Sequence, residues 1–297
     1  MRKQSSIIIG CMRLAGKTPE EMARFIHMAS DCGLSWYDHA DIYGQGQSER
    51  VFGEALARDS SIRREDLIIQ SKCGICKGYY DLSKEHIIES VDGILTRLKT
   101  DYLDILLLHR PDALVEPEEV AAAFDELETS GKVRAFGVSN HKPSQIELLK
   151  KYVRQELMYN QLQFSLAVSN MVANGMEVNM ETAGSYDHDG SVLDYCRIHD
   201  ITIQAWSPFQ KPGWKGVLIG DPEYAELNQV LNELSVTYDS TPTTLAAAWI
   251  LRHPAGIQII TGTANEDRLR EISAAESIEL SREDWYRMYL AAGHILP

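Results

Sequence analysis

Eight short runs rich in Ile, Val and Leu recur along the chain, each followed by a stretch of helical periodicity. No other feature restricts the fold as much. Parallel strands buried on both faces read as nearly continuous apolar runs, and each must be joined to the next by a crossover helix. The clearest run is residues 103–109, Leu-Asp-Ile-Leu-Leu-Leu-His. The others are 7–10, 34–38, 67–72, 133–139, 156–161, 202–206 and 258–261. Helical patterns fill 19–32, 48–58, 83–98, 117–130, 143–151 and 191–198, with a two-part element over 223–252 and another helix from Glu266. In the helix from Ser83, an N-cap residue, Ile87, Val91, Ile94, Leu95 and Leu98 line one face; the helix after Pro117 is expected to end at Gly131. The expected architecture is an α/β fold, a single-domain (β/α)8 TIM barrel over residues 1–297, with an extra C-terminal helix over 281–292.

Two regions break the rhythm. Residues 164–190 are long, polar and glycine-containing, and residues 209–222 hold Pro212, Gly213, Gly216, Gly220 and Pro222. Both follow strands at the end of a barrel where sites are built, and are expected to shape a substrate site or cover a cofactor.

Composition narrows the partners. The chain carries 29 Lys plus Arg against 43 Asp plus Glu, a net charge of −14, which repels nucleic acid and anionic membrane surfaces. A local basic pocket can still hold a small anionic cofactor, because salt screens the distant field. Five scattered cysteines are too few and too irregular for a disulfide framework, so reduced thiols in the cytoplasm are expected. Cys73 and Cys76 have redox-motif spacing but lack the helix start that would activate them. Arg2 and Lys3 ahead of residues 7–11 resemble a short export signal; Arg13 follows at once, and a first buried strand explains the run better. No membrane span is expected, since the longest apolar run elsewhere is residues 245–251.

Polar residues fall at informative places. Asp38, Lys72, His109, Ser139, Asn140 and Gln161 each close an expected strand, at the end where barrel active sites lie. Any one alone is explained as the first solvated residue of a loop. Together they converge as acid, base and hydrogen-bonding groups facing one point.

The series Asp38-His-Ala-Asp-Ile-Tyr43, Lys72 closing a strand and His109 in Leu-Leu-Leu-His-Arg-Pro resembles the aldo-keto reductase superfamily, in its bacterial branch. The likeness runs through the chain: Gly-Lys-Val-Arg-Ala-Phe-Gly-Val-Ser-Asn at 131–140, Asn160-Gln161, Ala205-Trp-Ser-Pro208 and Ile260-Thr-Gly-Thr-Ala-Asn-Glu-Asp-Arg268 follow in the family's order. The resemblance implies an oxidoreductase that reduces aldehyde or ketone carbonyls by hydride transfer from NAD(P)H to a small-molecule substrate. It implies Tyr43 as proton donor, Lys72 and Asp38 tuning it, and His109 aiming the carbonyl. A phenol titrates near pH 10, so the charge of Lys72 would be needed to stabilise the anion left after transfer.

The same resemblance implies that Ser139, Asn140 and Gln161 hold the nicotinamide carboxamide, with Trp206 stacked on the ring, and that Ser207 also contacts the cofactor. Met12, Arg13, Gly262 and Glu271 join the implied cofactor contacts. Thr263, Asn265 and Arg268 match positions that grip a 2′-phosphate, implying NADP, with NADPH preferred and NADH not excluded. Gly262 stands where many members carry Lys, Ile272 where Asn is frequent, and His39 where Thr is common. No metal site is expected, because the candidate ligands lack a His-x-His cluster. Three other readings compete: a cofactor-bearing regulatory subunit of potassium channels, a Schiff-base enzyme using Lys72, and a metal-dependent hydrolase. Turnover of a simple aldehyde excludes the first, and a borohydride-trapped adduct on Lys72 would identify the second. The resemblance implies that substrate selectivity lies in loops such as residues 164–190.

Overall fold

The computed structural model describes residues 5–296. Arg2 and Lys3 therefore lie outside the described residues. The eight strands form a closed parallel barrel in chain order: β1 (Ile7–Gly10), β2 (Trp36–Asp38), β3 (Ile68–Cys73), β4 (Leu103–Leu108), β5 (Val133–Ser139), β6 (Leu157–Gln163), β7 (Thr202–Trp206) and β8 (Gln258–Thr261). Helices α1 (Pro19–Asp31), α2 (Gln47–Arg58), α3 (Lys84–Leu98), α4 (Pro117–Thr129) and α5 (Pro143–Lys150) follow the first five strands. Then come α6 (Asn170–Met176), α7 (Val192–Ile198), α8 (Ala225–Thr237), α9 (Pro242–Leu251), α10 (Glu266–Ser273) and α11 (Arg282–Ala291). The alternation of apolar runs and helical stretches is what built this order.

Local chemistry sets the boundaries. Thr18 and Glu21 form a reciprocal capping box at the start of α1. Its end explains why β2 begins at Trp36 and not at Leu34. Gly33 takes a left-handed φ of 77°, and the Leu34 amide turns back to the Ala29 carbonyl at 2.9 Å, so residues 33 and 34 belong to the helix stop. At the end of α4, Gly131 with φ 72° lies one residue past the Ser130 C-cap. Residues 164–190 are not all loop: α6 and a 3-10 turn at Ala183–Ser185 lie within them. Asn174 and Gly175 are poor helix formers, so the pattern of α6 is weak. Tertiary contacts hold it, among them the buried Ser169 with its hydroxyl 2.7 Å from His294 Nε2.

Contacts gather the described residues into two compact units, one of Ile8–Gln161 with Gly262–Glu266, the other of the remaining described residues. In the first, parallel registers run Gly10 to Asp38, Asp38 to Gln70, Lys72 to Leu107 and Ser139 to Gln161. Its core includes Phe124 stacked on Phe136 at 4.1 Å and Tyr37 against Phe52 at 4.9 Å. Helices α2 and α3 approach so closely that a Cβ on Gly53 would lie 2.3 Å from the Arg97 carbonyl oxygen. In the second unit α9 is apolar on every face, as a helix enclosed by protein must be. Its Trp249 stacks on Trp285 at 4.8 Å, and each indole N–H donates to the other residue's carbonyl at 3.1 and 2.9 Å. No helix of the described residues is long and apolar enough to cross a membrane.

Candidate active site

Three strand ends of the first unit supply the core of the site. Asp38 is the last residue of β2, Lys72 the penultimate residue of β3, and His109 follows β4. Tyr43 lies in the turn after β2, held by its amide on the Ala40 carbonyl at 3.0 Å. Lys72 is fully buried, and its ammonium has three hydrogens to place. They meet the Asp38 carboxylate at 2.8 Å, the His39 carbonyl at 2.7 Å and the Tyr43 hydroxyl at 3.1 Å. Burial works against the charge on Lys72, but Asp38 and Tyr43 outweigh it and raise its pKa. A Schiff-base lysine needs the opposite shift, toward a free amine.

Asp38 is itself over-determined. Besides Lys72, its Oδ1 accepts from Gln70 Nε2 at 2.5 Å and Gln161 Nε2 at 3.0 Å. Gln70 in turn takes the Trp36 indole N–H on its amide oxygen at 3.1 Å. Sequence reasoning missed Gln70, although it precedes Lys72 by two on β3 and so shares its face of the strand. A second missed support lies behind Lys72. The buried Glu49 accepts Ser71 Oγ at 2.7 Å and Arg97 Nε at 2.6 Å, fixing the residue next to Lys72 in the strand. Asp41 donates its amide to the Lys72 carbonyl at 3.1 Å, and burial followed by the nearby Glu49 pushes its carboxyl up to about 7.

Burial raises the Tyr43 pKa more than the Lys72 charge lowers it, so the phenol stays protonated at neutral pH. Desolvation, which disfavours the phenolate, is the larger effect in the resting state. Tyr43 faces His109 edge-to-face, with ring centroids 6.1 Å apart. Burial, then the charges of Lys72 and Arg110, hold the His109 pKa well below its usual value, which leaves a neutral imidazole. Its Nδ1 is buried without a hydrogen-bond partner among the described residues. His39, buried against Phe52, is pushed down to about 3 by desolvation and then by Lys72; its side chain contributes no bond to the set.

The end of β5 and Gln161 of β6 add a polar rim to the same unit; β6 runs two residues past Gln161, which was expected to close it. Asn140 follows β5 with a left-handed φ of 59°, its amide on the Gln161 carbonyl at 3.0 Å. Its side-chain amide donates to Ser139 Oγ at 2.7 Å, and Ser139 Oγ donates to the Gln161 carbonyl at 3.0 Å. Hydroxyl and amide groups of this kind match the donors and acceptors of a carboxamide. Met12 and Arg13 are exposed just past β1. In the segment 262–265, the space where a Cβ on Gly262 would stand is open, and the Thr263 hydroxyl accepts the Asn265 amide at 3.1 Å immediately before α10. A hydroxyl and a helix start suit a phosphate. These residues therefore fit the two ends of a dinucleotide.

Trp206, Ser207, Arg268 and Glu271 belong to the second unit. Trp206 closes β7, and Ser207 follows it with a left-handed φ of 53°. Arg268 is exposed on α10, and the Glu271 carbonyl accepts Thr244 Oγ1 at 2.8 Å.

Residues 6–289 match the sequence model of the Aldo/keto reductase family. The chain is 34% identical to the uncharacterized oxidoreductase YcsN of Bacillus subtilis, covering 99% of this chain and 96% of that protein. It is likewise 34% identical to the 6-dehydroglucose reductase of Novosphingobium aromaticivorans, over 99% of this chain and 93% of that one. Among solved structures it resembles the thermostable aldo-keto reductase Tm1743, with a TM-score of 0.77 and 25% identity over 96% of this chain and 94% of that one. The chain belongs to the aldo/keto reductase family, oxidoreductases that reduce aldehyde or ketone carbonyls with hydride from NAD(P)H.

Proposed function

We propose that Tyr43 is the proton donor of this reaction, with Lys72, Asp38 and His109 as its partners. The observation that carries it is the Tyr43 hydroxyl 3.1 Å from a fully buried Lys72 ammonium that Asp38 holds at 2.8 Å. When bound, a reduced nicotinamide supplies the hydride. The neutral His109 and the Tyr43 hydroxyl orient the carbonyl oxygen by hydrogen bonding. As that carbon is reduced, negative charge gathers on its oxygen, and Tyr43 releases its proton there. The phenolate that remains is stabilised by Lys72, whose own charge is secured by Asp38. Protonation in the resting state, favoured by burial of Tyr43, keeps the acid loaded.

Ser139, Asn140 and Gln161 would hold the carboxamide, Trp206 would stack on the ring, and Met12, Arg13, Ser207, Gly262 and Glu271 would complete the cofactor contacts. Thr263, Asn265 and Arg268 favour a 2′-phosphate, so NADPH is preferred; equal affinity for NADPH and NADH in calorimetry would overturn that preference. One functional domain is supported by a family match that runs through both units. Residues 164–190 and 209–222 shape the substrate site. A small carbonyl compound is the substrate, and the name of one relative puts 6-dehydroglucose first among compounds to assay. Free cysteines and strong negative charge support a cytoplasmic enzyme without nucleic-acid partners.

Replacing Tyr43 with Phe tests the assignment, because it removes only the phenolic oxygen. Carbonyl reduction should fall by about a hundredfold or more, the range of a lost general acid, with NADPH affinity within about twofold. Undiminished kcat in Tyr43→Phe would refute the role.

A further inference from the structure

Within the second unit the hairpin 209–222 presents a tryptophan to the end of β7. The indole of Trp214 stacks on that of Trp206, with ring centroids 5.4 Å apart and planes 21° from parallel. The hairpin is firmly tied below its tip. Lys211 donates its amide to the Gly216 carbonyl at 2.9 Å, and Leu218 to Phe209 at 2.9 Å. The Lys211 ammonium meets Asp221 at 2.7 Å and Glu223 at 2.6 Å. Asn228 on α8 staples the far end, donating to the Leu218 and Tyr224 carbonyls at 3.0 and 2.9 Å while accepting the Gly220 amide at 2.6 Å.

At the tip Gly213 and Trp214 both take left-handed backbone, with φ of 69° and 63°. For a bulky residue that conformation is unfavourable and persists only where the surroundings over-determine it. Trp214 is nevertheless 59% exposed, so burial of its side chain is not what the tied hairpin and the strained backbone achieve. They place an indole on Trp206.

A third ring cannot enter between the two indoles, because two van der Waals layers require roughly 7 Å between the outer rings. Any planar ring stacking on Trp206 must take the face turned away from Trp214. We propose that Trp214 is a positioning residue for the cofactor: it backs the Trp206 indole and holds its opposite face in place for the nicotinamide ring. The proposal rests on the assignment of Trp206 to that ring. Fixing an aromatic before binding lowers the ordering cost of association, and the stacked pair presents a single rigid platform.

Calorimetric titration of the intact protein with NADP+ and with adenosine 2′,5′-bisphosphate, which lacks the nicotinamide, tests this. Trp214→Ala should weaken NADP+ by about three- to tenfold, as expected for loss of one aromatic pair, and leave adenosine 2′,5′-bisphosphate unchanged. Trp214→Phe should restore NADP+ binding to within about twofold, since a ring remains to stack. Melting temperatures should not move, given the exposure of Trp214. Unchanged NADP+ affinity in Trp214→Ala overturns the proposal, as does an equal loss for both compounds. Tighter NADP+ binding also overturns it and identifies Trp214 as a gate. Trp206→Leu separates the two levels: if it leaves NADP+ affinity intact, the assignment of Trp206 itself fails; if it weakens NADP+ while Trp214→Ala does not, only the role of Trp214 fails.

Discussion

Replacing Asp38 with Asn should invert the pH dependence of folding stability as well as lower it. Lys72 is 0% and Asp38 1% exposed, so the pair is screened from water on every side. Removing one partner of a buried ion pair costs about 3–5 kcal/mol, because the other charge is left without compensation. Lys72 would retain the His39 carbonyl at 2.7 Å and the Tyr43 hydroxyl at 3.1 Å, and the Asn side chain offers an acceptor, which places the loss near the lower end, about 3 kcal/mol. In the native protein the folded pKa of Lys72 is raised above its ordinary 10.5. Its stabilisation is thus fully present below the unfolded value and is lost as pH rises through the raised folded value.

In Asp38→Asn the dominant influence left is burial, which lowers a lysine pKa. The folded ammonium then loses its proton more readily than the unfolded one. Stability of the variant should rise with pH between about 7 and 10, with a slope of at most about 1.4 kcal/mol per pH unit, while the parent shows no such gain from this group. Urea unfolding followed by circular dichroism, at about pH 7 and about pH 9.5, measures both quantities. A variant as stable as the parent, or one whose difference from the parent does not shrink with rising pH, would refute the account of Lys72 as a charge held by Asp38.

Asp41, with its carboxyl pushed up to about 7, binds its proton more tightly folded than unfolded, so it costs stability increasingly as pH climbs from about 4 to 7. Asp41→Asn should therefore gain on the parent over that range, by at most about 4 kcal/mol, and level off above it; a pH-independent difference in urea midpoints would contradict this. Gly53→Ala should destabilise by about 2–3 kcal/mol through overpacking, since its Cβ would stand 2.3 Å from the Arg97 carbonyl oxygen where α2 meets α3. A melting temperature equal to that of the parent would show that the two helices separate freely.

Much of the fold was legible in the sequence. Strand and helix identities followed from the alternation of buried runs and helical periodicity, because a strand covered on both faces is rich in apolar residues along most of its length. Boundaries were less so: Leu34 read as strand but closes α1, since a glycine stop draws the next residue back by a hydrogen bond that hydropathy does not reveal. The weak pattern of α6 was silent because its stability comes from contacts such as Ser169 with His294, more than a hundred residues away. The candidate site was legible as residue types at strand ends, reinforced by the order of motifs.

What the sequence determined by itself was therefore which groups stand at or next to the strand ends: Asp38, Lys72, His109 and Ser139 follow from local pattern and spacing, whereas Gln161 lies two residues before the end of β6. What only the tertiary structure decided was their state. The protonation of Tyr43 and His109 depends on desolvation, which is a property of everything packed around them and not of their neighbours in the chain. The supports of the ion pair, Gln70 and Gln161 on Asp38 and Glu49 on Ser71, and the stacking of Trp214 on Trp206 likewise arise only when separate segments are brought within a few ångströms.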